Sequence, residues 1–380
     1  MVQALPSVFG LPLLEPAVPT GEPSTVLTVG SAELHDFASR ALKVLGFPPA
    51  QREEVATAMV WADMRGLTAH GVVRRLAQCA ARVRAGGTDP AAAPTVDDDR
   101  GGSVVTMDGH HAWGQVAGVA AMGVAIDRAR QTGVGVVAVR RTGSPAALGY
   151  YPTLAVSQQM IGIALTNCPA LMAAPDGRVR VVGNQAHAFG FPAGDGRRIL
   201  FDSALSVMST GEMDRRLEAA ERLPDGVLRD RDGRPTNDPA DWIDGFLTPI
   251  GGYRGFGLAL AFELLTSALS GSGAPSYEVG TPVDHGSRQN VSMTCIAVDP
   301  AWTRPLEEFN AQVDDVARAV HRSGEPDRPT PRVPGERGDA VAMQRLRTGV
   351  PVSDAQAEAL ERLASELGIA APRTISAKAG

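Results

Sequence analysis

The stretch GVGVVAVRRTGSPAALGYY, residues 133–151, decides the fold of the chain. Its first half, residues 134–139, is an apolar and β-branched run of strand length, which predicts a buried β-strand. Gly143, Ser144 and Pro145 then supply turn chemistry, because glycine frees the backbone and proline fixes φ. A helical segment follows. A buried strand that ends in a loop and feeds a helix is where α/β enzymes place reactive side chains, so Ser144 is the first candidate site residue.

The glycines that open this stretch match a dinucleotide-binding fingerprint only as letters. Gly133, Gly135 and Ala138 spell GxGxxA, but here the glycines come before the strand. In the Rossmann fingerprint the glycine turn follows a strand and begins a helix, where it contacts the phosphates. A Rossmann fold is therefore not expected. Residues 251–257 are also glycine-rich, but they lack the GK[ST] ending of a P-loop.

Length and composition predict a globular protein without nucleic-acid or membrane partners. The chain has 380 residues, enough for two domains, with 44% hydrophobic and 21% charged residues. Its net charge of −6 gives no basic surface for nucleic acid. No apolar run approaches the roughly 20 residues that a membrane helix needs. Cys79, Cys168 and Cys295 are far apart, which indicates neither a disulfide framework nor a metal site and favours a cytoplasmic location.

Hydrophobic spacing divides the chain into helical ends and a mixed middle. After an extended arm at residues 1–25, with scattered prolines and no signal-peptide pattern, a short strand and helical periodicity cover residues 26–87. Helical periodicity returns after residue 300. Residues 223–238 hold many turn formers and predict a surface loop. The other strands are predicted at 104–109, where the strand ends in a turn, and at 134–139, 160–166, 199–202 and 291–298.

Several motifs, taken together and in order, resemble one enzyme family. They are ADMRGLTAHG at 62–71, GVGVVAVR…GYY at 133–151, LTNCPA at 165–170, FDSALS at 201–206, GGYRGFGLALAFELL at 251–265, QNVSMTCIAVDP at 289–300 and VPGE at 333–336. This set is similar to the type-2 malate/L-lactate dehydrogenase family, and the similarity covers nearly all of residues 26–367.

The resemblance implies a fold of the α/β (α+β) class, as in malate/L-lactate dehydrogenase-2. A non-Rossmann NAD(P)-binding α/β domain would cover residues 101–300. A helical domain formed by both chain ends would cover residues 26–100 with 301–380, beyond the arm at 1–25. Members of the family are dimers, so a homodimer is also expected.

The resemblance further implies an NAD(P)H-dependent oxidoreductase that reduces C=O or C=N at C2 of a small carboxylate. Members of the family act on 2-oxo and 2-hydroxy acids, ureidoglycolate, diketogulonate and the cyclic imines pyrroline- and piperideine-2-carboxylate. The cofactor is NAD or NADP. The residues themselves leave the choice of substrate and the choice of cofactor open.

The family's Ser-His-Gly motif falls on Ala69-His70-Gly71, which makes His70 the catalytic proton donor and removes its helping serine. The carboxylate-binding arginine falls on Arg74, one helical turn later and so on the same face. Arg75 beside it is the alternative. A guanidinium suits this role because its planar fork binds a carboxylate through two hydrogen bonds.

Ser144 stands where the family carries a second histidine, in the Asn-His-Phe-Gly motif before Gly-Tyr-Tyr. Serine forms hydrogen bonds but does not carry a proton near neutral pH as imidazole does. Ser144 is therefore expected as a catalytic residue with altered chemistry. A protonated imine already carries its proton, whereas the alkoxide from a ketone must receive one, so the replacement favours a C=N substrate. The resemblance also predicts cofactor contacts along this loop at Ser144, Pro145, Ala146, Ala147 and Leu148.

Further site residues follow from the same resemblance. Substrate contacts are expected at Asn184, in Gly-Asn-Gln-Ala, and at Arg254, in Gly-Tyr-Arg-Gly. His187 is either a replacement for the lost imidazole or a buried strand residue. The remaining expected cofactor contacts are Asp202, Ser203, Ala204, Thr210, Gly211, Arg288, Gln289 and Asn290.

The departures from the family pattern support a second hypothesis. The hydroxyl is missing at Ala69, the imidazole is missing at Ser144, and the loop at 184–186 is changed. Such a protein could bind a nicotinamide cofactor or another ligand without hydride turnover, or carry out non-redox proton chemistry. Tight cofactor binding without hydride exchange would distinguish it from the reductase.

Overall fold

The computed structural model describes residues 26–97, 101–281, 283–325 and 330–377, so the predicted arm at 1–25 lies outside the described residues. The helices in this part of the chain are α1 (Ser31–Val44), α2 (Pro49–Met64), α3 (Val72–Ala85), α4 (Gly114–Thr132), α5 (Tyr150–Val156), α6 (Thr210–Glu218), α7 (Tyr253–Glu263), α8 (Leu306–Arg322), α9 (Glu336–Thr348) and α10 (Asp354–Leu367). The strands are β1 (Val26–Val29), β2 (Thr95–Asp97), β3 (Val104–Asp108), β4 (Val134–Thr142), β5 (Ile161–Thr166), β6 (Met172–Ala173), β7 (Arg180–Val182), β8 (His187–Pro192), β9 (Arg198–Ser203), β10 (Leu228–Arg229), β11 (Pro235–Thr236), β12 (Phe246–Leu247), β13 (Val291–Val298), β14 (Val350–Val352) and β15 (Ile375–Ala377). None of the helices within these described ranges is long and apolar enough to cross a membrane.

A mixed sheet of seven strands forms the centre of the α/β part. Its order is β2-β3-β4-β13-β5-β8-β9, in which β3 and β4 run parallel and the other neighbouring pairs run antiparallel. Cys295 in β13 pairs with Val137 in β4 and with Ala164 in β5, and all three side chains are buried. This order confirms the predicted α/β (α+β), non-Rossmann class, because a Rossmann sheet is parallel with strand order 3-2-1-4-5-6.

The two glycines of the opening stretch join α4 to β4. Gly133 ends α4 with φ +83°, in the left-handed region that glycine adopts without strain. At Gly135 a Cβ would lie 2.0 Å from the carbonyl oxygen of Ala125, so glycine alone lets α4 pack this closely on β4. Both glycines therefore serve the helix–strand crossing rather than a phosphate.

The helical part gathers both ends of the described chain. Side chains from α1, α2, α3 and α10 share one apolar core, which includes Phe37, Met59, Leu76 and Leu360. A small antiparallel sheet ties the ends together, since β1 lies between β14 and β15. Helix α8 instead contacts β8 and the 3-10 turn Gly194–Gly196. The domain limits at residues 100 and 300 stay a prediction.

The prediction that residues 223–238 form a surface loop is right for the exposed turns and wrong for a short hairpin within the segment. This segment contains β10, which pairs with β11 and β12 in a five-stranded sheet of order β11-β10-β12-β6-β7. Leu223, Val227 and Leu228 are buried in a third core that also contains Trp242. Turn formers dominate the composition of the segment, but its few apolar side chains find a core that local sequence does not reveal.

Candidate active site

His70 and Arg74 lie where one helix ends and the next begins. Helix α2 leads through the 3-10 turn Thr68–His70 into α3. The backbone N–H of Val72 donates to the buried Asp63 carboxylate, with 2.8 Å between N and Oδ2. This contact anchors the start of α3. The turn thereby holds His70 just before the helix and Arg74 in the first turn of the helix. The prediction that the two residues share one helical face is wrong, because Gly71 is extended and separates the 3-10 turn from α3.

Burial makes His70 a weak base. The imidazole is half-buried, and loss of surrounding water, followed by the positive charges of Arg75 and Arg74, lowers its pKa from 6.5 to about 4. The ring is therefore neutral at pH 7 and has a nitrogen that can accept a proton. A carboxylate bound beside the arginines would offset their charge and raise the pKa of His70 again.

The two neighbouring arginines have different surroundings. Arg75 is buried, with its guanidinium 4.6 Å from the centre of the Trp113 ring and its Nη2 donating to the Ser144 carbonyl oxygen at 2.9 Å. Arg74 is half-buried, and its Nη2 lies 3.2 Å from Oδ2 of the buried Asp214. Arg75 is thus committed to the interior, whereas Arg74 is accessible to a ligand.

Contacts to main-chain atoms hold the loop that follows β4. The N–H of Ser144 donates to Oε1 of Gln289 at 3.2 Å, and the hydroxyl of Tyr151 donates to the Pro145 carbonyl oxygen at 2.6 Å. Ala146 has φ +63°, an uncommon conformation for a residue with a Cβ. The Ser144 side chain is half-buried. The loop is therefore shaped through its backbone, not through the serine hydroxyl.

The end of this loop is tied to β9. Ala147 and Leu148 are buried, which leaves their main chain rather than their side chains for a cofactor contact. The Gly149 N–H donates to Oδ2 of Asp202 at 2.8 Å. The Asp202 side chain keeps one exposed side, while protein atoms replace much of the surrounding water. This partial desolvation raises the pKa of Asp202 to about 6. The next two predicted contacts, Ser203 and Ala204, are half-buried.

The first turn of α6 approaches the 3-10 turn. A Cβ at Gly211 would lie 3.5 Å from the Cβ of Ala69. Ser209 caps α6 by accepting from the N–H of Glu212, whereas the N–H groups of Thr210 and Gly211 have no intrahelical partner. Such donors at a helix N-terminus suit an anion. The predicted contacts Thr210 and Gly211 therefore fit a phosphate or carboxylate group of a ligand.

Arg254 and Arg288 are exposed on the surface of the chain. Arg254 lies in the first turn of α7, with its guanidinium 5.3 Å from the centre of the Tyr253 ring. Arg288 precedes β13. Its neighbours turn inward, since Gln289 is buried and Asn290 is half-buried with φ +54°. The structure thus brings Gln289 to the loop after β4 and leaves both arginines facing solvent.

Asn184 is engaged inside the protein. Its Oδ1 accepts from the Cys168 thiol at 3.1 Å, and its carbonyl oxygen accepts from the N–H of Leu205 at 2.7 Å. The next residue, Gln185, has φ +44° and donates to the buried Glu263 carboxylate at 2.5 Å. Both contacts of Asn184 use its oxygen atoms, and neither uses its side-chain amide nitrogen.

His187 is a buried residue of β8. Its Nδ1 lies 3.1 Å from the Gln185 carbonyl oxygen, and its ring packs against Phe189, Phe201 and Phe262. Burial lowers its pKa. These surroundings favour the buried strand residue over a replacement for the lost imidazole.

Two buried acidic residues at the site, Asp63 and Asp214, are not among the candidates that the sequence alone suggests. Asp214 pairs with Arg74 across 140 residues of sequence, and the indole N–H of Trp242 lies 3.4 Å from its Oδ1. Burial raises the pKa of Asp214. No local spacing signals this pairing. Asp63 lies within the motif at 62–71, and an acidic residue in an otherwise apolar helix end is the signal that identifies it.

Fold and site together define an α/β enzyme whose imidazole and guanidinium groups suit an anionic substrate. The family model for malate/L-lactate dehydrogenase matches residues 29–361, and the chain belongs to that family. The enzymes of this family that the chain resembles in sequence are dehydrogenases and reductases, which places the chain in the same class of enzyme.

Similar proteins cover most of the chain. The L-sulfolactate dehydrogenase of Methanocaldococcus jannaschii is 32% identical over 86% of this chain and 94% of its own length. The malate dehydrogenase of Pyrococcus abyssi is 32% identical over 89% of this chain and 94% of its own. The Δ1-pyrroline-2-carboxylate/Δ1-piperideine-2-carboxylate reductase of Pseudomonas syringae pv. tomato is 29% identical over 89% of this chain and 96% of its own.

Solved structures show the same fold. The sulfolactate dehydrogenase structure from M. jannaschii superposes with a TM-score of 0.83 at 30% identity, covering 90% of this chain and 98% of the other. The Δ1-piperideine-2-carboxylate reductase structure from P. syringae has a TM-score of 0.80 at 28% identity, covering 90% and 99%.

Proposed function

We propose that the chain is an NAD(P)H-dependent oxidoreductase that reduces C=O or C=N at C2 of a small carboxylate. The observation that carries the proposal is the placement of His70 and Arg74 around the start of α3, beside the first turn of α6. Relatives named for sulfolactate, malate and cyclic imino acids support this substrate class, since each compound carries a carboxylate next to C2.

Arg74 holds the substrate in this proposal. Its guanidinium binds the carboxylate through its planar fork, while Asp214 fixes the guanidinium from the protein side. Arg75 does not take this role, because its Nη2 is bound to the Ser144 carbonyl oxygen inside the protein. Among the alternatives that the sequence leaves open, the geometry therefore favours Arg74.

His70 exchanges a proton with the heteroatom on C2. In the oxidative direction its ring, which the lowered pKa keeps neutral at pH 7, is available to accept the hydroxyl proton. In the reductive direction the substrate carboxylate offsets the charge of Arg74, so that His70 can carry the proton that it donates. The nicotinamide cofactor, when bound, supplies or accepts the hydride.

The residues suited to NAD or NADP lie on two elements. The N–H groups of Thr210 and Gly211 offer donors for an anionic part of the cofactor. The loop at 143–148 offers main-chain groups in a backbone that hydrogen bonds hold at Ser144 and Pro145 and that has a positive φ at Ala146. Asp202 and its neighbours in β9 adjoin that loop through Gly149.

The serine at position 144 favours a C=N substrate. An imidazole there would protonate a developing alkoxide, whereas a protonated imine needs no second acid. The similarity to a pyrroline- and piperideine-2-carboxylate reductase supports this preference. We place the cyclic 2-imino acids first and the 2-oxo acids second among candidate substrates.

One assay tests the function. Oxidation of NADH and of NADPH is followed spectrophotometrically with a panel of 2-oxo acids and cyclic 2-imino acids, and His70→Ala serves as the control. We expect turnover with at least one panel member and its loss in the variant. Tight cofactor binding without hydride exchange would contradict the proposal. That result would favour the alternative, a family member without redox turnover, for which Ala69 and Ser144 are the motivating residues.

We also propose a homodimer, in which the apolar face of α7 contacts a second copy. Five leucines on α7 and on the π-helical segment that continues it, Leu264–Ala268 with its C-cap, are 43–54% exposed: Leu258, Leu260, Leu264, Leu265 and Leu269. The charged residue among positions 255–273 is Glu263, which is buried, so two such faces meet without charge repulsion. Leu264→Glu is expected to give a monomer by sedimentation at micromolar concentration. Leu346→Glu, at a 64% exposed leucine of α9, is the matched control and should remain a dimer. A dimer in the Leu264→Glu variant would contradict the proposal.

We retain a cytoplasmic location as a proposal. Cys79, Cys168 and Cys295 are free thiols, and two of them are buried, which supports a reducing compartment.

A further inference from the structure

We propose that Asp63 is a positioning residue for the candidate active site, because its buried carboxylate holds the start of α3 and so sets the positions of His70 and Arg74. This inference rests on the proposed function of those two residues. Asp63 itself touches neither a ligand nor a reacting atom, and it acts through the backbone that carries them.

The carboxylate of Asp63 supplies the cap that α3 lacks. The N-cap residue of α3 is Gly71, which has no side chain to accept from the first N–H groups of the helix. Asp63, 5% exposed and at the end of α2, accepts from the Val72 N–H at 2.8 Å instead. A negative charge at a helix N-terminus is favourable, and the capped donor is one that would otherwise be unsatisfied in the interior.

The glycine at position 71 is shaped by this carboxylate. A Cβ at Gly71 would lie 1.7 Å from Oδ1 of Asp63. The backbone of Gly71 has φ −83°, which any residue can adopt, so the requirement for glycine is the space that Asp63 fills. Asp63 and Gly71 therefore depend on each other. A side chain at position 71 would displace the Asp63 carboxylate and so disturb its hydrogen bond with the Val72 N–H, as loss of Asp63 does.

A carboxylate is costly at this place. Burial raises the pKa of Asp63 to about 7, and the Val72 N–H and the charge of Arg345 oppose this effect. Arg345 of α9 also donates to the main-chain carbonyl oxygen of Asp63, which joins the turn to the C-terminal helices. An acidic group kept buried at a cost in free energy, next to the candidate proton donor, points to a role in the site.

The chain offers a matched control away from the site. Asp314 of α8 accepts from the Gly194 N–H at 3.1 Å, and a Cβ at Gly194 would lie 2.5 Å from its Oδ2. This contact repeats the pairing of a buried aspartate with a glycine turn. It holds the turn Gly194–Gly196, which carries none of the proposed site residues.

The test compares Asp63→Ala, Asp63→Asn, Gly71→Ala, the double variant Asp63→Ala/Gly71→Ala and Asp314→Ala. Asp63→Ala is expected to lower kcat about 10- to 100-fold, because small displacements of catalytic groups have effects of this size. Asp63→Asn keeps an oxygen for the Val72 N–H and should recover most of that loss. Gly71→Ala should resemble Asp63→Ala, and the double variant should be no worse, because the new methyl group fills the vacated space. Asp314→Ala should keep kcat within about twofold of wild type.

A measurement independent of turnover separates this inference from the proposed function. Loss of the cap should let water reach the His70 ring, and desolvation is the main cause of its lowered pKa. This pKa, followed by NMR of the imidazole protons and assigned with a His70 variant, should therefore rise toward 6.5 in Asp63→Ala and stay unchanged in Asp314→Ala. If kcat and the His70 pKa in Asp63→Ala both equal those of wild type, Asp63 is a structural cap only and the inference is overturned. If the wild type turns over no panel substrate, the proposed function fails, and the His70 pKa alone decides the role of Asp63.

Discussion

The turn Thr68–His70 and the loop at residues 143–149 border the same candidate site but contribute different atoms. The turn and the helix after it present two side chains, those of His70 and Arg74. Asp214 contacts the Arg74 guanidinium directly, and Asp63 holds the backbone between the two residues through the Val72 N–H. The loop presents its backbone, since both the N–H and the carbonyl oxygen of Ser144 are bound by side chains from distant parts of the chain. One region offers chemical groups, and the other offers a shape.

This difference explains how a histidine of the family pattern can be absent at position 144 without loss of the loop. The contacts that hold the loop end on main-chain atoms, which serine and histidine share. The imidazole at position 70 has no such substitute, because its role depends on the ring itself. We therefore expect substitutions in the turn to change catalysis strongly and removal of the Ser144 hydroxyl to change it little.

The largest effect is expected for His70→Ala. Loss of a general acid and base should lower kcat by about 10²- to 10⁴-fold, while cofactor affinity, measured by nicotinamide fluorescence, stays near that of wild type. His187→Phe, at a buried histidine among phenylalanine rings, is the matched control and should retain turnover. If His70→Ala keeps wild-type turnover, the prediction that the His70 side chain takes part in catalysis is wrong.

Arg74→Ala should have the next largest effect. We expect substrate binding to weaken by about 2–4 kcal/mol, the range for breaking a desolvated charge pair, with cofactor affinity nearly unchanged. The rise in KM, obtained from initial rates over a range of substrate concentrations, measures this loss. Arg75→Ala, in contrast, should lower thermal stability because it frees the Ser144 carbonyl oxygen. A larger rise in KM for Arg75→Ala would move the carboxylate site to Arg75.

The pH dependence of stability should report the buried imidazole. The pKa of His70 is about 4 in the folded protein and near 6.5 when unfolded, so between these values the unfolded chain binds the extra proton. The contribution of His70 is therefore complete above pH 6.5 and falls as the pH drops toward 4. Denaturant unfolding of wild type and His70→Ala at several pH values should converge on acidification, by at most about 3 kcal/mol. Parallel curves would show that His70 is not desolvated.

Ser144→His restores the residue of the family and should affect two substrate types differently. With a 2-oxo acid it should raise kcat by up to about tenfold, because it adds an acid where alkoxide charge develops. With a cyclic imine it should be neutral or harmful, since the larger ring crowds a loop fitted to serine. Equal changes with both substrates would contradict the assignment of this loop to the reacting centre.

Ser144→Ala should have the smallest effect. It removes the hydroxyl and keeps the N–H and carbonyl contacts, so kcat/KM should change by less than about threefold. Gln289→Leu is the companion variant, because it removes the acceptor of the Ser144 N–H and should destabilise the loop more than loss of the hydroxyl does. A large loss in Ser144→Ala would give the loop a side-chain role and weaken the contrast with the turn.

The fold class could be predicted from the sequence, and most of its elements as well. Local hydrophobic spacing can be recognised along the chain, and it predicts three of these elements: the strand at 134–139, the helices that flank the turn at His70, and the strand at 291–298. The surface loop expected at 223–238 is incomplete for the opposite reason, since its few apolar residues are buried in a core formed with distant residues such as Met172 and Trp242.

The sequence by itself determined which chemical groups the candidate site can contain: one imidazole at position 70, a pair of arginines after it and a serine at 144. Only the tertiary structure decided that Arg75 turns inward to the Ser144 loop while Arg74 contacts Asp214. It also decided that Asp63 anchors the start of α3, between His70 and Arg74. The physical reason is that residue type and spacing are local, whereas burial, charge pairing and the partners of main-chain N–H groups depend on segments that meet only when the chain packs.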